Sequence, residues 1–207
     1  IRYEWLKGIA SGRNGYNNGV QVLLQNIIRE RDFVLMGLGT EYHVSDKTEF
    51  YSNLSQAYRP IQFANLQAPP STDVVDDNLK DANGYNFDLG YRGKIKDFVQ
   101  FDLTGFYLRY KNRVGVIIPS GSTYRFITNV GNSNSKGFEG FMEMNLLRFF
   151  SKKSKSSLKL FVTYSYTDAK YDSDYQDENI KGKQVENAPK NILRTGLSFR
   201  SEEHTSE

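Results

Sequence analysis

The 207-residue sequence contains no cysteine. That excludes a disulfide framework, a thiolate metal site and a cysteine nucleophile, but it does not fix a compartment. Histidine is almost as scarce, with His43 and His204 the only two. No stretch approaches the roughly 18 to 20 apolar residues that a membrane-spanning helix needs. No secretory leader is present, and Ile1-Arg2-Tyr3-Glu4-Trp5 opens in mid-pattern, so the start reads as a cut. A net charge of +3 is too small to call for a polyanion, and no nucleic acid is expected as a partner. Hydrophobic residues make up only 38%, below the usual globular share.

Against these shortages stand 14 Tyr and 14 Phe. A disordered chain would be poor in aromatic and β-branched residues. This chain is therefore structured, with its apolar content spread one residue in two instead of pooled. The spacing has period two. Leu158, Leu160, Val162, Tyr164 and Tyr166 alternate with Lys159, Phe161, Thr163, Ser165 and Thr167. Val99, Phe101, Leu103, Gly105 and Tyr107 alternate with Gln100, Asp102 and Thr104. The windows Tyr85 to Arg92 and Phe138 to Leu146 repeat the pattern, and helical spacing fits none of them.

The spacing predicts eight strands, near 1–6, 31–44, 48–58, 84–94, 98–110, 135–149, 157–168 and 189–199. Ser45-Asp46-Lys47, Ile95-Lys96-Asp97 and Ser151 to Ser156 are short turns. The other connections, 7–30, 59–83, 111–134 and 169–188, are long. Short and long alternate throughout, as in an up-and-down barrel with short periplasmic turns and long extracellular loops. Compact soluble domains seldom carry loops above about 12 to 15 residues. Several strands exceed the mean globular length of about 5 to 6 residues and reach the 9 to 11 or so of a tilted membrane strand. Tyr42, Phe50, Tyr58, Tyr85, Tyr107, Tyr110, Tyr164 and Tyr166 cluster near strand ends, where an aromatic girdle sits. Asp88, Asp102, Glu139, Glu143 and Lys159 lie in mid-strand. In a dry core each would need a partner or cost several kcal/mol; in a wet lumen they cost little. The expected fold is all-β: an antiparallel up-and-down transmembrane β-barrel in the cell outer membrane, present as a partial barrel of about eight strands. That means an open, curved sheet whose first and last strands do not pair. Its apolar face meets lipid and its polar face meets the lumen.

Four segments carry a family resemblance. Tyr51 to Tyr58 followed by Arg59-Pro60 resembles a barrel strand of TonB-dependent outer-membrane receptors that ends in an aromatic-Arg-Pro step. Asn78-Leu79-Lys80, with Gly84 to Gly93 after it, resembles the next strand of that family. Asn129-Val130-Gly131 with Ser135 to Gly140 resembles its Asn-x-Gly loop and Gly-x-Glu strand. Ala188-Pro189-Lys190-Asn191 before Leu193 to Phe199 resembles a later strand. The resemblance implies energy-coupled uptake of a scarce nutrient, a ferric chelate such as ferric citrate or a siderophore. It implies TonB as a partner through a plug region, outer-membrane lipid around the wall, no resident cofactor and no enzymatic activity. The Arg59-Pro60 region resembles the ferric dicitrate receptor type. No histidine lies between Arg59 and Leu79, which counts against haem. The plug, the TonB-contacting segment and a terminal aromatic are not in the sequence, and the family barrel has about 22 strands. Residues 1–199 therefore read as a barrel piece. The octet Arg200 to Glu207 matches a reading frame of a common sequencing-library adapter and reads as an artefact. Two other readings stand beside this one: a small outer-membrane barrel enzyme or adhesin, and a soluble β-rich binding module.

Candidate chemistry is sparse. Arg59 shares a face with Tyr51, Asn53 and Ser55 at the outer end of its strand, where a guanidinium can grip a carboxylate or chelate oxygen with two bonds. A lumen salt bridge is the plainer alternative. Gln62, Arg125 and Asn129 are further ligand candidates on the outer rim. His43 with Glu41 has the composition of a metal pair, but one histidine makes a lumen-facing polar residue the simpler reading. Asp168, Asp172, Asp174, Asp177 and Glu178 make the last loop acidic without calcium-loop spacing. Lys152, Lys153 and Lys155 either meet lipid headgroups or keep their turn soluble. The apolar patch Val20 to Ile28 suggests a short extra hairpin. No catalytic or metal-ligating constellation is present in the sequence.

Overall fold

The structure is a computed structural model that describes residues 1–10, 13–17, 20–23, 27–61, 73–76, 78–119, 121–151, 156–173 and 179–201. In chain order the strands are β1 (Arg2–Ala10), β2 (Arg13–Asn17), β3 (Val20–Leu23), β4 (Ile27–Leu35), β5 (Gly37–Ser45), β6 (Thr48–Arg59), β7 (Asp73–Val75), β8 (Ala82–Ile95), β9 (Val99–Lys111), β10 (Val114–Ile117), β11 (Arg125–Asn129) and β12 (Ser133–Asn145). A short helix, α1 (Leu146–Phe150), precedes β13 (Ser157–Tyr171) and β14 (Asn191–Arg200). Seven strands form one antiparallel sheet in the order β14-β13-β12-β9-β8-β6-β5. The sheet is open, and its end strands do not pair with each other.

All eight expected strands are present, with three differences. The segment expected as one strand at 31–44 starts at Ile27 and divides at Met36. Its second half pairs with β6, from Gly37 opposite Ser55, whereas its first half pairs with β1, from Leu35 opposite Arg2. Gln56 bridges the fork. Its main-chain N–H donates to Met36 O at 2.9 Å, and its side-chain Oε1 accepts from Met36 N at 3.0 Å. The strand expected to run to 149 ends at Asn145, where α1 begins. The long connections also hold structure of their own. A hairpin is present, but it is β2–β3 and takes in only Val20–Leu23 of the patch expected to form it, since Ile27 and Ile28 open β4; β10–β11 is a second hairpin with β7 added in parallel to β11.

The sheet has two chemically distinct faces. Tyr51, Asn53, Asp88, Asp102, Thr104, Glu139, Thr163, Ser165 and Arg194 line one continuous trough across six strands. Successive residues of a strand point to opposite faces, so the alternate positions face outward. There Leu89, Leu103, Phe138, Met142, Leu193, Leu197 and Phe199 are all exposed. Along β8 the outward apolar run from Tyr85 to Ile95 is about 26 Å tall at about 3.4 Å per residue and a tilt of about 40°. That matches the roughly 25 Å apolar band of an outer-membrane wall. Beyond Tyr85, Tyr107, Phe138 and Tyr166 the next outward positions are Asn83, Arg109, Lys136 and Asp168, so the band stops on all four strands.

Short turns close one end of the sheet, here called the turn end. Asp46-Lys47 joins β5 to β6, with Lys47 N donating to Ser45 Oγ at 3.2 Å. Lys96, with φ of 53°, turns the chain from β8 into β9. Cross-strand rings fill the places where glycine leaves a gap: Tyr51 lies over Gly90 and Phe161 over Gly196. Gly137 has a different constraint. A Cβ there would lie 1.9 Å from the Tyr166 carbonyl oxygen, which is backbone and cannot swing away.

Gly137→Ala should therefore destabilise the sheet by about 1–3 kcal/mol. Gly105→Ala, whose Cβ would meet its nearest neighbour at 3.9 Å, should stay within about 0.5 kcal/mol of the parent. Urea unfolding of the vesicle-inserted chain measures both.

Candidate functional site

The buried apolar side chains all lie at the end opposite the turns. Among the described residues they are Ile61, Leu79, Ala82, Ile127, Val130, Ala169, Tyr171 and Val185. Ile61 and Leu79 pack with Val75 and Val114. Val130, Ala169, Tyr171 and Val185 pack with Ile117, Ile180 and Ala188. The long connections thus form a folded platform at what is here called the loop end.

Acids and amides fasten this platform to main-chain atoms. Asp81 accepts from Tyr58 Oη at 2.5 Å and Ile61 N at 2.9 Å, and it pairs with Arg31 at 2.5 Å. Asp76 accepts from Thr128 Oγ1 at 2.5 Å and Asn78 N at 2.8 Å. Asn132 Oδ1 accepts from Asn112 N at 3.1 Å. Asn112 and Gly131 adopt φ of 55° and 121°, the left-handed geometry that lets each turn sharply beside its strand.

The four proposed ligand residues fall in different places. Asn129 is a clamp: its Oδ1 accepts from Lys80 N at 2.7 Å, and its Nδ2 donates to Lys80 O at 2.9 Å and Asn112 O at 2.8 Å. Arg125 is exposed at the start of β11, and Arg59 is exposed at the end of β6. Gln62 lies outside the described residues. The structure therefore brings Asn129 into the frame of the platform and leaves the two arginines on its surface. Asp76, Asp81, Asn112 and Asn132 were not singled out by sequence reasoning. Their signal was present as short polar residues in the loops, where Asx side chains bind nearby main chain; of the four only Asn132 adjoins a glycine, Gly131.

Tyr171 marks the edge of the platform. Its hydroxyl donates to Glu186 Oε2 at 2.6 Å. Burial, then the adjacent Glu186 carboxylate, pushes its pKa up to about 12. The phenol stays protonated and holds the segment around Glu186 against β13.

The trough below the platform is polar, with a volume of about 760 Å³. Tyr51 Oη donates to Asp102 Oδ1 at 2.8 Å, and Thr104 Oγ1 lies 2.5 Å from Tyr51 Oη. Asp88 accepts from Asn53 and Asn86. Arg92 sits 4.9 Å above the Tyr51 ring centroid and pairs with Glu49 at 2.5 Å and Glu41 at 3.1 Å. His43 faces Glu49 at 3.1 Å, so the His43–Glu41 pairing is replaced by two separate contacts. Lys159 pairs with Glu143 at 2.7 Å. Of the mid-strand charges, Asp88, Asp102, Glu143 and Lys159 thus have partners within the wall. No group of three or more metal-ligating acids or histidines occurs among the described residues.

A family model described as "TonB dependent receptor-like, beta-barrel" matches residues 1–205. Among solved structures, the copper transporter OprC aligns with a TM-score of 0.64 at 17% identity, over 84% of this chain and 26% of that one. The ferric yersiniabactin uptake receptor FyuA from Yersinia pestis aligns with a TM-score of 0.58 at 16% identity, over 83% and 24%. The ferric-catecholate import receptor Fiu from K12 E. coli, closed form, aligns with a TM-score of 0.55 at 14% identity, over 87% and 26%. The chain spans about a quarter of the length of these structures. No curated protein matches it.

Two outcomes are expected at this site. Asn129→Ala removes a clamp worth about 1–3 kcal/mol, so the Lys80 amide should exchange roughly ten- to a hundredfold faster by hydrogen exchange. For Tyr171 the folded pKa lies above the unfolded value of 10.0. Its contribution to stability is complete below pH 10.0 and disappears as pH rises towards about 12. A spectrophotometric tyrosinate titration of Tyr171→Phe should lose one late-ionising group relative to the parent.

Proposed function

The chain belongs to the TonB-dependent receptor-like β-barrel family, and from that premise we propose that it is part of the wall and rim of an outer-membrane receptor for energy-coupled nutrient uptake. The observation that carries this reading is the two-faced sheet, with a lipid-height apolar band outside and a polar trough inside. The turn end then faces the periplasm and the loop end faces the medium. Residues 1–199 are read as a piece of the barrel wall. TonB acts through a plug region that lies outside this chain. Membership in a receptor family is the reason to set aside the barrel-enzyme, adhesin and soluble-module readings.

The cargo is a ferric chelate, ferric citrate or a siderophore. Three similar structures are named for a copper transporter, a ferric yersiniabactin receptor and a ferric-catecholate receptor, all with metal or metal-chelate cargo. Chelates of this class present anionic oxygens. Arg59 and Arg125 stand exposed on the rim with the charge and fork geometry that bind such oxygens. Gln62 is the neutral member of the candidate set, and Asn129 contributes by fixing the rim's shape. The Arg59-Pro60 step supports the ferric dicitrate type within the family.

The test is binding of radioiron-labelled chelates to cells carrying the intact receptor. Ferric citrate should bind, and Arg59→Ala and Arg125→Ala should each weaken binding about tenfold, equivalent to about 1.4 kcal/mol. Receptor that reaches the outer membrane yet binds neither ferric citrate nor any ferric siderophore would sink the cargo assignment.

A further inference from the structure

Most acids of the trough face already have partners. Glu49 and Glu41 pair with Arg92, and Glu143 pairs with Lys159 at 2.7 Å. Asp102 accepts from Tyr51, and Asp88 accepts from Asn53 and Asn86. Towards the turn end the balance shifts to cations. Lys94, Gln100 and Glu143 stand opposite one another on β8, β9 and β12. Residues an even number of positions apart on a strand share a face, so Lys94 lies on the face of Asp88 and Gln100 on that of Asp102. At about 4.8 Å between strands, Glu143 is two strands and roughly 10 Å from Lys94. Its carboxylate is taken by Lys159.

Lys94, Lys96, Gln100, Arg148 and Ser157 line a recess of about 430 Å³ together with the Lys159–Glu143 pair. Among the described residues Asp97 is its only other acid, and Lys94, Lys96 and Arg148 have no ion pair. Two features place these cations. Lys96 holds a φ of 53°, a left-handed conformation that suits Gly or Asn better, so the turn keeps a charge where a small residue fits more easily. Arg148 is carried by α1, which stands where a tight turn would leave no such residue. Buried Asn145 caps α1 by accepting from Arg148 N at 3.2 Å, and its own N–H donates to Phe98 O at 2.7 Å. Phe149 meets Phe98 edge-on at 5.3 Å. The helix is thereby fixed to the β8–β9 turn that carries Lys96. Three cationic groups and two neutral donors thus share one space. Like charges gathered in this way repel, and a multiply charged anion removes the repulsion while it satisfies the donors. At about 30 Å³ per water-sized group, the recess has room for roughly a dozen heavy atoms. A phosphate or a tricarboxylate is of that size or smaller.

We infer that this recess is an oxyanion site, separate from the arginines of the rim, that takes a small anion of two or more negative charges. Arg148 grips two oxygens with its fork, Lys94 and Lys96 neutralise the charge, and Gln100 and Ser157 donate to the oxygens that remain. Two sources offer such oxygens: the carboxylates of a chelate, and inorganic phosphate. The site stands on the recess alone. Only its periplasmic address rests on the orientation proposed above, which puts it on the side from which cargo leaves.

The test is equilibrium dialysis of the intact receptor, in neutral detergent, against radiolabelled metal-free citrate and, separately, inorganic phosphate. Arg59→Ala with Arg125→Ala removes the rim arginines and isolates the turn end. In that background at least one of the two anions should still bind saturably. Lys94→Gln, Lys96→Gln and Arg148→Gln should each weaken binding about tenfold. Lys94→Arg with Lys96→Arg, which keeps the charge, should restore what Lys94→Gln with Lys96→Gln loses, and so separates loss of the site from loss of the fold. Lys111→Gln, Lys136→Gln and Lys170→Gln together remove as much charge at the loop end and should change nothing. Tighter citrate assigns the site to carboxylates and tighter phosphate assigns it to phosphate; either result supports it. Absence of saturable binding of both anions in the Arg59, Arg125 background overturns the site. Binding that the loop-end triple weakens as much as the turn-end substitutions do reports net charge alone and also overturns it. A receptor that ignores ferric citrate yet binds an anion at the turn end loses its cargo assignment and keeps this site.

Discussion

The backbone ladder between neighbouring strands carries this structure, because little else can. A wall one sheet thick has no interior to fill. The buried apolar side chains belong to the platform at the loop end, and the strands between Tyr85 and Ile95 or between Val99 and Tyr107 contribute none. In an apolar medium an unpaired N–H or C=O costs several kcal/mol, and continuous pairing avoids that cost. Register is then as important as sequence. A slip of one residue would exchange the two faces, turning Asp88, Asp102 and Glu139 outward and Leu89, Leu103 and Phe138 into the trough.

The glycines and rings of the wall follow from the same constraint. Tyr51 over Gly90 and Phe161 over Gly196 supply side-chain contact where no core does. At Met36 the ladder changes partner: β5 pairs with β6, and β4 pairs with β1. Gln56 supplies a side-chain acceptor at the point of divergence, and above it Phe33 stacks on Tyr58 with ring centroids 3.8 Å apart. Arg31 reaches Asp81 over the same gap. The molecule thus has two kinds of cohesion: regular main-chain pairing in the wall, and side-chain-to-main-chain fastening in the platform.

This division explains what could be read from the sequence. Strand positions, faces and the alternation of connections depend on local period, and period two is visible in one strand alone. The fork at Met36 is not visible, because both halves alternate equally well and only the choice of partner differs. The spacing predicts strand where α1 forms, since Leu-Leu-Arg-Phe-Phe has too short an apolar run to show its period. Its signal was Asn145, a cap residue three positions before Arg148. At the rim, Asn129-Val130-Gly131 and Asn78-Leu79-Lys80 were each legible as landmarks. That Asn129 binds the main chain of Lys80 was not, because 49 residues separate the two. The parallel addition of β7 to β11 has the same non-local origin.

The fastening of the platform has a consequence for descent. Asn129 binds main-chain atoms of Lys80 and Asn112, Asp81 binds that of Ile61, and Asp76 binds that of Asn78. Every amino acid offers a carbonyl, and every one but proline offers an N–H. At Lys80, Asn112 and Asn78 these clamps therefore set no condition on the side chain. A lineage that keeps a handful of Asn and Asp residues is free to redraw much of the surface they support. Diversification of the rim can then proceed by single substitutions, each tested against a scaffold that does not have to be reinvented.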